Sequence, residues 1–498
     1  MTISFSNIPS KVRVPLFYAE MDNSQANSAT ATQITLIIGQ QLDTATQTVN
    51  TPFLAASAST VGGVCGYGSM LHNMMTAYLA NDTAGEIYIL PIADGADTVA
   101  ATGSIKVSAV ATSAGTLSLY VGGVRVQIAV TTTDDLATIA SDLAAAINAK
   151  TALPVTASAS AAVITVTAKN KGALGNDIDM RLNYLGTAGG EATPAGLSLT
   201  ITAMSGGTGT PALDDALANL GDKAFDFIIN PYTDTTSLDS VKSLLADNTG
   251  RWSYLSQLYG HSLGVAFGTY GEVTAIGEAR NNQHESIIGI YDSPSTPWVW
   301  SAACYGAMAN SLRNDPGRPV QTLTVSGVLA PPLASRFEWT ERNNLLYSGI
   351  STVTVADDGT VTLENVITTY QTNSYGDADD SYLEIETMFL LMYVTRYLRS
   401  VVTSKYARMK LAATGTKFAA GSAIVTPNTI RAELIAQYTT LEYNGYVQDS
   451  TGFASGLIVE QNSSNPNRVD VLWDGVLINQ LRVFALLNQF RLQSSTTS

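Results

Sequence analysis

Three histidines are the first candidates for catalysis or metal binding, because imidazole transfers protons and binds metals near neutral pH. They are His72, His261 and His284. The three are far apart in sequence, and none stands in a metal-ligand spacing such as HxxxH. We therefore expect each histidine to have a structural or surface role.

Glycine-rich stretches beside serine or aspartate are the second kind of candidate. Residues 66–69 (GYGS) lack the glycine that would complete a GxSxG nucleophile motif, so they predict a glycine-rich entry to a helix. Residues 205–211 (SGGTGTP) are interpreted as a linker and not as a phosphate loop. Asp357-Asp358-Gly359 lacks the further ligands of a calcium loop and predicts a hairpin turn. The residues predict no enzyme, no cofactor and no metal site.

Composition and charge narrow the class of protein further. The chain has 498 residues, of which 45% are hydrophobic and 13% charged, and this composition predicts several folded domains. A formal charge of -15 argues against general nucleic-acid or anionic-membrane binding. The start of the chain does not resemble a signal peptide, and no apolar run is long enough to span a membrane. Cys65 and Cys304 are too few and too distant to predict a disulfide framework, so we expect a soluble protein of a reducing compartment without direct membrane insertion.

Positive charge is segregated in one part of this acidic chain. Residues 387–432 contain no aspartate or glutamate but seven basic residues, namely Arg396, Arg399, Lys405, Arg408, Lys410, Lys417 and Arg431. Two interpretations stay open: a solvated face, or a docking surface for an acidic partner in which charge sets orientation and register.

The elements that would position these residues follow an α/β pattern. Apolar strands are predicted at residues 34–38, 86–92, 225–230, 263–268 and 286–291, with helices at 70–79, 213–220, 237–245 and 300–312 between or after them. Residues 98–209 interrupt the pattern with a Thr, Ala, Ser, Gly and Val composition, a hairpin signal at Gly122-Gly123 and a helix that Thr133 would cap.

Later in the chain, Asp358-Gly359 predicts a second hairpin, Ser381 a cap before a long helix at 382–403, and Thr426-Pro427 the start of another helix. The predicted fold class is α/β, or α+β overall: a split doubly wound α/β core, an inserted β-rich module, a small α+β C-terminal domain, and extended N- and C-terminal arms. The predicted boundaries are 1–20 for the N-terminal arm, 21–97 and 210–375 for the core, 98–209 for the module, 376–475 for the C-terminal domain and 476–498 for the C-terminal arm.

Both termini are strand-like. Polar and apolar residues alternate in Lys11-Val12-Arg13-Val14, between Pro9 and Pro15, which predicts an extended edge segment. Residues 481–492 have the pattern of a longer apolar strand after a turn at Asp474-Gly475. The entropy lost in ordering such an arm is about as large as the gain from burying one strand face. We therefore expect these arms to be ordered only where a sheet edge is available, and the edge of another chain would serve.

Several long strings resemble the Mu-like contractile phage tail sheath proteins. They run in order over essentially the whole chain and occupy residues 8–26 (IPSKVRVPLFYAEMDNSQA), 314–323 (NDPGRPVQTL), 327–332 (GVLAPP), 341–361 (ERNNLLYSGISTVTVADDGTV), 367–373 (ITTYQTN) and 478–483 (INQLRV). The inserted module is the part in which sheath proteins vary most.

The resemblance implies a structural subunit that forms stacked hexameric rings around a tail tube and contracts without nucleotide hydrolysis to drive the tube through the host envelope. The implied partners are other copies of the subunit, the tail tube protein, and baseplate and tail terminator proteins. The implied location is the virion tail, after assembly in the host bacterial cytoplasm. The resemblance also implies arms that add strands to neighbouring subunits, with Val12, Val14, Leu16, Leu481, Val483, Phe484, Ala485 and Leu487 as contacts. The C-terminal domain would lie nearest the tube, with Arg396, Arg399, Lys405, Arg408 and Lys410 facing it.

Two alternatives remain. The first is the sheath of a non-phage contractile injection system. The second is an enzyme on the α/β core, which predicts that Asn230, Asp234, His261 and Asp292 surround one pocket at the ends of the strands.

Overall fold

A computed structural model describes residues 33–492 of the chain, so the predicted N-terminal contacts Val12, Val14 and Leu16 lie outside the described residues. The helices are α1 (Ala58–Cys65), α2 (Met70–Leu79), α3 (Leu136–Ala149), α4 (Asp214–Ala218), α5 (Thr235–Leu245), α6 (Tyr270–Glu278), α7 (Pro297–Asn314), α8 (Trp339–Tyr347), α9 (Ile385–Tyr406), α10 (Pro427–Tyr443) and α11 (Ser450–Gly456).

The strands of the large sheet and of the segment inserted into it come first in the chain. They are β1 (Ile34–Gln40), β2 (Phe53–Leu54), β3 (Glu86–Ile92), β4 (Thr102–Ala109), β5 (Gly115–Val121), β6 (Val124–Val130), β7 (Val155–Ser160), β8 (Val163–Ala168), β9 (Met180–Leu182), β10 (Ser198–Ser205), β11 (Phe227–Ile229), β12 (His261–Phe267), β13 (Glu285–Ile290), β14 (Ile350–Val355) and β15 (Val361–Asn365). Short strands follow, namely β16 (Lys410–Leu411), β17 (Ile424–Val425), β18 (Val447–Gln448), β19 (Ile458–Gln461), β20 (Val469–Leu472) and β21 (Val476–Leu477).

The protein is mixed α/β, and the largest sheet within residues 33–492 has eight strands in the order β15-β14-β13-β12-β11-β1-β3-β2. The six strands from β14 to β3 are parallel, and antiparallel β15 and β2 form the two edges. Parallel strands need helical crossovers, which cover both faces and favour apolar strands such as β1, in which six of seven residues are buried.

Helices pack against this sheet through apolar side chains. In α7, thirteen of eighteen residues are buried. Phe389, in the first turns of α9, stacks on Phe227 of β11 with a ring-centroid distance of 5.0 Å. The first two turns of α9 therefore belong to the core of the large sheet.

Between β3 and α4 the chain forms two further sheets, with the orders β10-β4-β8-β7 and β6-β5-β9. The predicted hairpin at Gly122-Gly123 is confirmed, since β5 and β6 pair on either side of it and both glycines have positive φ. Asp135, and not Thr133, caps α3, because its carboxylate accepts the backbone N–H of Thr138 at 2.7 Å.

Residues 391–478 form a second compact unit with its own core. Its centre is α10, which begins as predicted with Thr426 as cap and Pro427 in the first turn. Leu434, Tyr438 and Leu441 of α10 pack with other buried residues of this unit. Residues 391–478 also contain three two-stranded sheets, β16-β17, β18-β21 and β19-β20. The strand β21 lies just after Asp474-Gly475, so pairing continues past that predicted turn.

One further prediction from the sequence is wrong. The long helix α9 begins at Ile385 and not at Tyr382, because Glu384 forms a β-bridge with Ile367 and the N–H of Thr368 donates to the carbonyl of Leu383. Residues 481–492 form no strand in the single chain. A strand requires a partner for its backbone groups, and in the described part of the chain no sheet edge pairs with this segment.

Candidate assembly surfaces

All three histidines are buried. The Nδ1 atom of His72 accepts the backbone N–H of Gly68, and the Nε2 atoms of His261 and His284 bond to Ser286 and Asp247 at 2.9 and 2.8 Å. Within residues 33–492 no group of acidic, Cys and His side chains is arranged to hold a metal ion. The ring of each histidine thus forms a hydrogen bond inside the fold.

The four polar residues of the enzyme hypothesis do not lie at one edge of the sheet. Asn230 follows the carboxyl end of β11, whereas His261 opens β12 at the opposite edge of the parallel sheet. Asp234 caps α5, and Asp292 pairs with Arg181 at 2.8 Å. The pocket that this hypothesis required does not form around these residues.

The other candidate motifs also have structural roles. The side chain of Ser69 caps α2, and Asp358-Gly359 lies in the turn between β14 and β15. Cys65 and Cys304 are both free thiols and buried. Among the described helices, none combines the length and the apolar character needed to cross a membrane.

The C-terminal segment, residues 479–492, exposes an unusual amount of apolar surface. Its large side chains Leu481, Val483, Phe484, Leu486, Leu487, Phe490 and Leu492 are between 69% and 92% exposed, and Ala485 is exposed as well. Monomeric soluble proteins rarely expose a contiguous apolar patch of this kind unless it binds something. The segment therefore has the properties of a surface that binds another molecule.

The root of this segment is held by one ion cluster. The guanidinium of Arg482 donates from Nε and Nη2 to Glu384 at 3.1 and 2.7 Å, and from Nη2 to Glu386. Glu386 is fully buried, and its other oxygen accepts the backbone N–H of Val320 at 2.7 Å. Burial raises the pKa of Glu386, while the charge of Arg482 opposes that shift. Arg482 thus fixes where the exposed segment starts.

Sequence reasoning missed this cluster. Gln321 also contacts the segment, donating to the carbonyl of Leu481 at 3.2 Å. Val320, Gln321 and Arg482 stand in two of the strings quoted above, NDPGRPVQTL and INQLRV, which are about 160 residues apart and meet in the fold. The feature of the sequence that could have revealed it is Arg482, a charged residue within an otherwise apolar predicted strand.

The unit 391–478 contains a complementary feature, the hairpin of β19 and β20. Its four registered pairs run from Ile458↔Leu472 to Gln461↔Val469, and within the described residues it forms a sheet of only two strands. Ile458, Val471 and Leu472 are 44% to 59% exposed. Two-stranded sheets are marginal on their own. The hairpin thus offers an open edge and apolar surface to an added strand.

The predicted basic residues differ in their exposure and in their hydrogen-bond and ion-pair partners. Lys405 pairs with Glu433 at 2.6 Å, and Glu433 also accepts a bond from Gln437. Arg399, Arg408 and Lys410 are exposed, whereas Arg396 is partly buried. Arg431 donates to the carbonyls of Leu457 and Ala454. The exposed positive charge is therefore concentrated at the end of α9 and in the residues that follow.

Comparison with known proteins defines the class. Residues 206–369 match the family described as phage tail sheath protein central domain, and residues 377–491 match the phage tail sheath C-terminal domain. These are structural proteins of contractile tails.

A curated relative covers almost the whole chain. The Mu-like prophage FluMu tail sheath protein of Haemophilus influenzae is 40% identical over 492 residues, which is 98% of this chain and 100% of the relative. The chain belongs to the Mu-like phage tail sheath family.

Solved structures are also similar to it. The sheath tail protein Lin1278 from Listeria innocua is 14% identical, with 91% of this chain and 94% of that chain covered and a TM-score of 0.47. The helical sheath of the anti-feeding prophage in its contracted state is 11% identical, with 97% and 100% covered and a TM-score of 0.48.

Proposed function

We propose that this sheath protein polymerises as stacked hexameric rings around a tail tube and that contraction of the polymer drives the tube through the host envelope. The subunit has no enzymatic role in this proposal, since the energy is stored in the arrangement of subunits. Assembly takes place in the host bacterial cytoplasm, on the tube and between baseplate and tail terminator proteins, and the product is the tail of the virion.

The observation that carries the proposal is the C-terminal segment. An apolar stretch that is exposed for ten residues and clamped at its root by Arg482 is suited to reach a neighbouring copy. The β19-β20 hairpin of that neighbour is the acceptor that we propose, because an added strand would pair its open edge and cover its exposed apolar side chains. Leu481, Val483, Phe484, Ala485 and Leu487 remain the proposed donor contacts, and Val12, Val14 and Leu16 the proposed contacts of the other arm.

The basic residues at the end of α9 support a second contact, with the tube. We propose that Arg399, Arg408 and Lys410 face an acidic tube surface and that Arg396 borders this surface. Lys405 has a smaller part in this contact because Glu433 already neutralises its charge.

A truncation tests the donor role of the arm. Deleting residues 483–498 removes the exposed apolar segment but keeps Arg482 and its carboxylates. The shortened chain should melt at the same temperature as the full chain and remain monomeric in sedimentation velocity, whereas the full chain should form striated tubes in negative-stain images.

The matched control changes the same segment without removing apolar contacts. The double substitution Asn488→Ala and Gln489→Ala alters two exposed polar residues and should still give tubes. Tubes of normal length and order from the truncated chain would overturn the proposed role of the arm.

A further inference from the structure

In residues 33–390, here called the core unit, the most exposed large apolar side chains lie at two opposite edges of the parallel sheet. Within residues 33–390, six such side chains are more than two thirds exposed: Tyr254, Leu255, Leu333, Trp339, Tyr347 and Tyr375. Tyr254, Leu255 and Tyr347 stand in segments that lead into β12 and β14, at the amino ends of these strands. Tyr375 lies at the same edge, because the side chain of Asn281, just before β13, donates a hydrogen bond to the carbonyl of Thr372 in the loop that carries Tyr375. Leu333 and Trp339 lie at the carboxyl ends.

At the amino edge, Tyr254 and Leu255 form the tip of a rigid loop. Its base is buried: Arg251, Ser253 and Tyr259 are at most 5% exposed. The guanidinium of Arg251 donates to the carbonyls of Gly221 and Lys223, and the backbone N–H groups of Leu258 and Tyr259 return to the carbonyl of Arg251 at 2.8 and 3.1 Å.

Further bonds hold the tip itself. Gln257 donates from its backbone to Ser253 and from its side chain to the carbonyl of Tyr254 at 3.0 Å. Trp252 donates to the carbonyl of Gly260 at 2.8 Å and stacks on His284 at 4.5 Å between ring centroids. Gln257 and Tyr259 have positive φ, a costly conformation that tends to occur at functional sites. The loop therefore presents a tyrosine and a leucine in a fixed position, with little conformational entropy left to lose on binding.

At the carboxyl edge, β13 and β14 separate and leave a hollow. They pair only at Ile287↔Ile350 and Ile288↔Ser351, after which their remaining residues line a cavity of about 490 Å³. Its apolar lining consists of Ile290, Pro331, Leu333, Phe337, Val353 and Val355. This volume is within the range in which proteins bury drug-sized ligands, about 300 to 1,000 Å³. It is sufficient for two side chains.

Among the charged residues that line the hollow, which are Arg336, Glu338, Arg342 and Asp357, Arg336 suits a tyrosine. The Nε atom of Arg336 donates to the carbonyl of Pro331 at 3.0 Å, and among residues 33–492 no carboxylate forms an ion pair with its guanidinium. Its Nη atoms can donate to a phenolic oxygen. Trp339, beside the hollow, is of the residue type most enriched in protein contacts that carry binding energy.

We infer that the Tyr254-Leu255 tip of one subunit inserts into the hollow between β13 and β14 of the next subunit. Because tip and hollow are different surfaces at opposite edges of one sheet, the contact is head-to-tail, and such contacts generate rings or helical polymers. This inference rests on the proposed sheath assembly and assigns to it a contact between the core units, separate from the arms.

Cross-linking tests the contact directly. The full chain would carry Leu255→Cys together with Leu333→Cys, and assembled tubes would be treated with a short thiol-to-thiol cross-linker. Cys65 and Cys304 are buried and should not react. We expect a ladder of dimers, trimers and higher species on a denaturing gel, whereas tubes made from a mixture of the two single-cysteine chains should stop at dimers.

The matched control replaces Leu255→Cys by Leu54→Cys, since Leu54 is 57% exposed but lies on the β2 edge of the sheet. Leu54→Cys with Leu333→Cys should give no ladder. Normal tubes without a ladder from Leu255→Cys with Leu333→Cys would overturn the contact and leave the sheath proposal standing. Dimers from Leu255→Cys alone would also overturn it, because they indicate a symmetric contact.

A second variant tests whether assembly needs the contact. Tyr254→Ser with Leu255→Ser should leave the melting temperature unchanged, because both side chains are exposed, and should raise the protein concentration required for tubes at least tenfold. An unchanged concentration would contradict the inference. If the unaltered protein forms no tubes on any tube or baseplate preparation, the sheath proposal fails and this contact fails with it.

Discussion

At the scale of single residues, Arg482 is the most consequential charge in the described chain. Its ion pairs join a segment near the C-terminus to Glu384 and Glu386, about a hundred residues earlier. Since Glu386 is fully buried, its carboxylate depends on this guanidinium and on the N–H of Val320. The cluster stabilises the fold and positions the proposed arm at the same time.

Arg482→Met should therefore destabilise the core unit strongly at pH 7. Removing one partner of a buried pair leaves an uncompensated charge, which costs about 3 to 5 kcal/mol. The pKa of Glu386, already raised by burial, rises further without Arg482. A raised carboxyl pKa gives stability that is lost as the pH rises through the folded-state value, so the defect should be smaller at pH 5 than at pH 8.

Urea unfolding at several pH values measures this effect. The double variant Arg482→Met with Glu386→Gln should recover most of the loss, because the buried charge is then gone. If the single variant unfolds at the same urea concentration as the unaltered chain throughout, the cluster has no stabilising role.

Asp177 gives a second pH dependence. Burial raises its pKa to about 6. Because the folded state binds this proton more tightly than the unfolded state, stability should fall as the pH rises from about 4 to 6 and then level off. Asp177→Asn should thus stabilise the protein at pH 7.5 by at most about 3 kcal/mol and have no effect near pH 4.

The measurement is the melting temperature from pH 4 to 8. Asp142→Asn, at an exposed position of α3, is the control and should follow the unaltered protein. Parallel curves for Asp177→Asn and the unaltered protein would contradict the prediction.

At the scale of elements, the sequence predicts most of what local rules determine. The start of α10 follows from Thr426-Pro427 because a side-chain cap and a proline in the first turn both act within three residues. The strands β1 and β3 follow from apolar runs that only a sheet covered on both faces can bury. Their order in the sheet required the structure.

The sequence predicts poorly whatever depends on distant partners. The start of α9 moves by three residues because Glu384 pairs with Ile367 instead of entering the helix. Residues 481–492 have a strand pattern but no strand, since no periodicity can show where a partner edge lies. The sequence also did not reveal that Lys405 pairs with Glu433, because Glu433 lies just outside the stretch 387–432 that contains no acidic residue.

This difference among basic residues yields a prediction for α9 and the residues after it. Arg399→Glu with Arg408→Glu should leave the fold intact, because both side chains are exposed, and should reduce binding to an acidic tube more than tenfold at low salt. Lys405→Glu should instead lower the melting temperature, since it places a second carboxylate beside Glu433.

Co-sedimentation with tail tubes at two salt concentrations separates these effects. Arg431→Gln, which alters a cation bonded to backbone carbonyls, is a further control for folding. Unchanged binding by the double reversal would remove the electrostatic role from this surface.

At the scale of the whole molecule, the proposed assembly uses a donor segment and an acceptor hairpin from different parts of the chain. The donor segment follows Ile478 and is rooted in the core unit, whereas the proposed acceptor, the β19-β20 hairpin, belongs to the unit 391–478. Each copy therefore carries both halves of a contact that it makes with different neighbours. A chain that lacks only the donor should still be able to accept.

Mixing experiments test this asymmetry. A chain truncated after Arg482 should enter tubes formed by the full chain, because its acceptor hairpin is intact, but it passes no arm to the next subunit. Tube length in negative-stain images should fall steeply as the truncated fraction rises, and one truncated copy among about ten should already shorten the tubes. The same chain with Val471→Lys and Leu472→Lys in addition, which charges the exposed face of the acceptor hairpin, should be excluded and leave tube length unchanged. Truncated chains that enter tubes without shortening them would show that the arm does not hold the polymer together, and assembly would then have to depend on contacts between the core units.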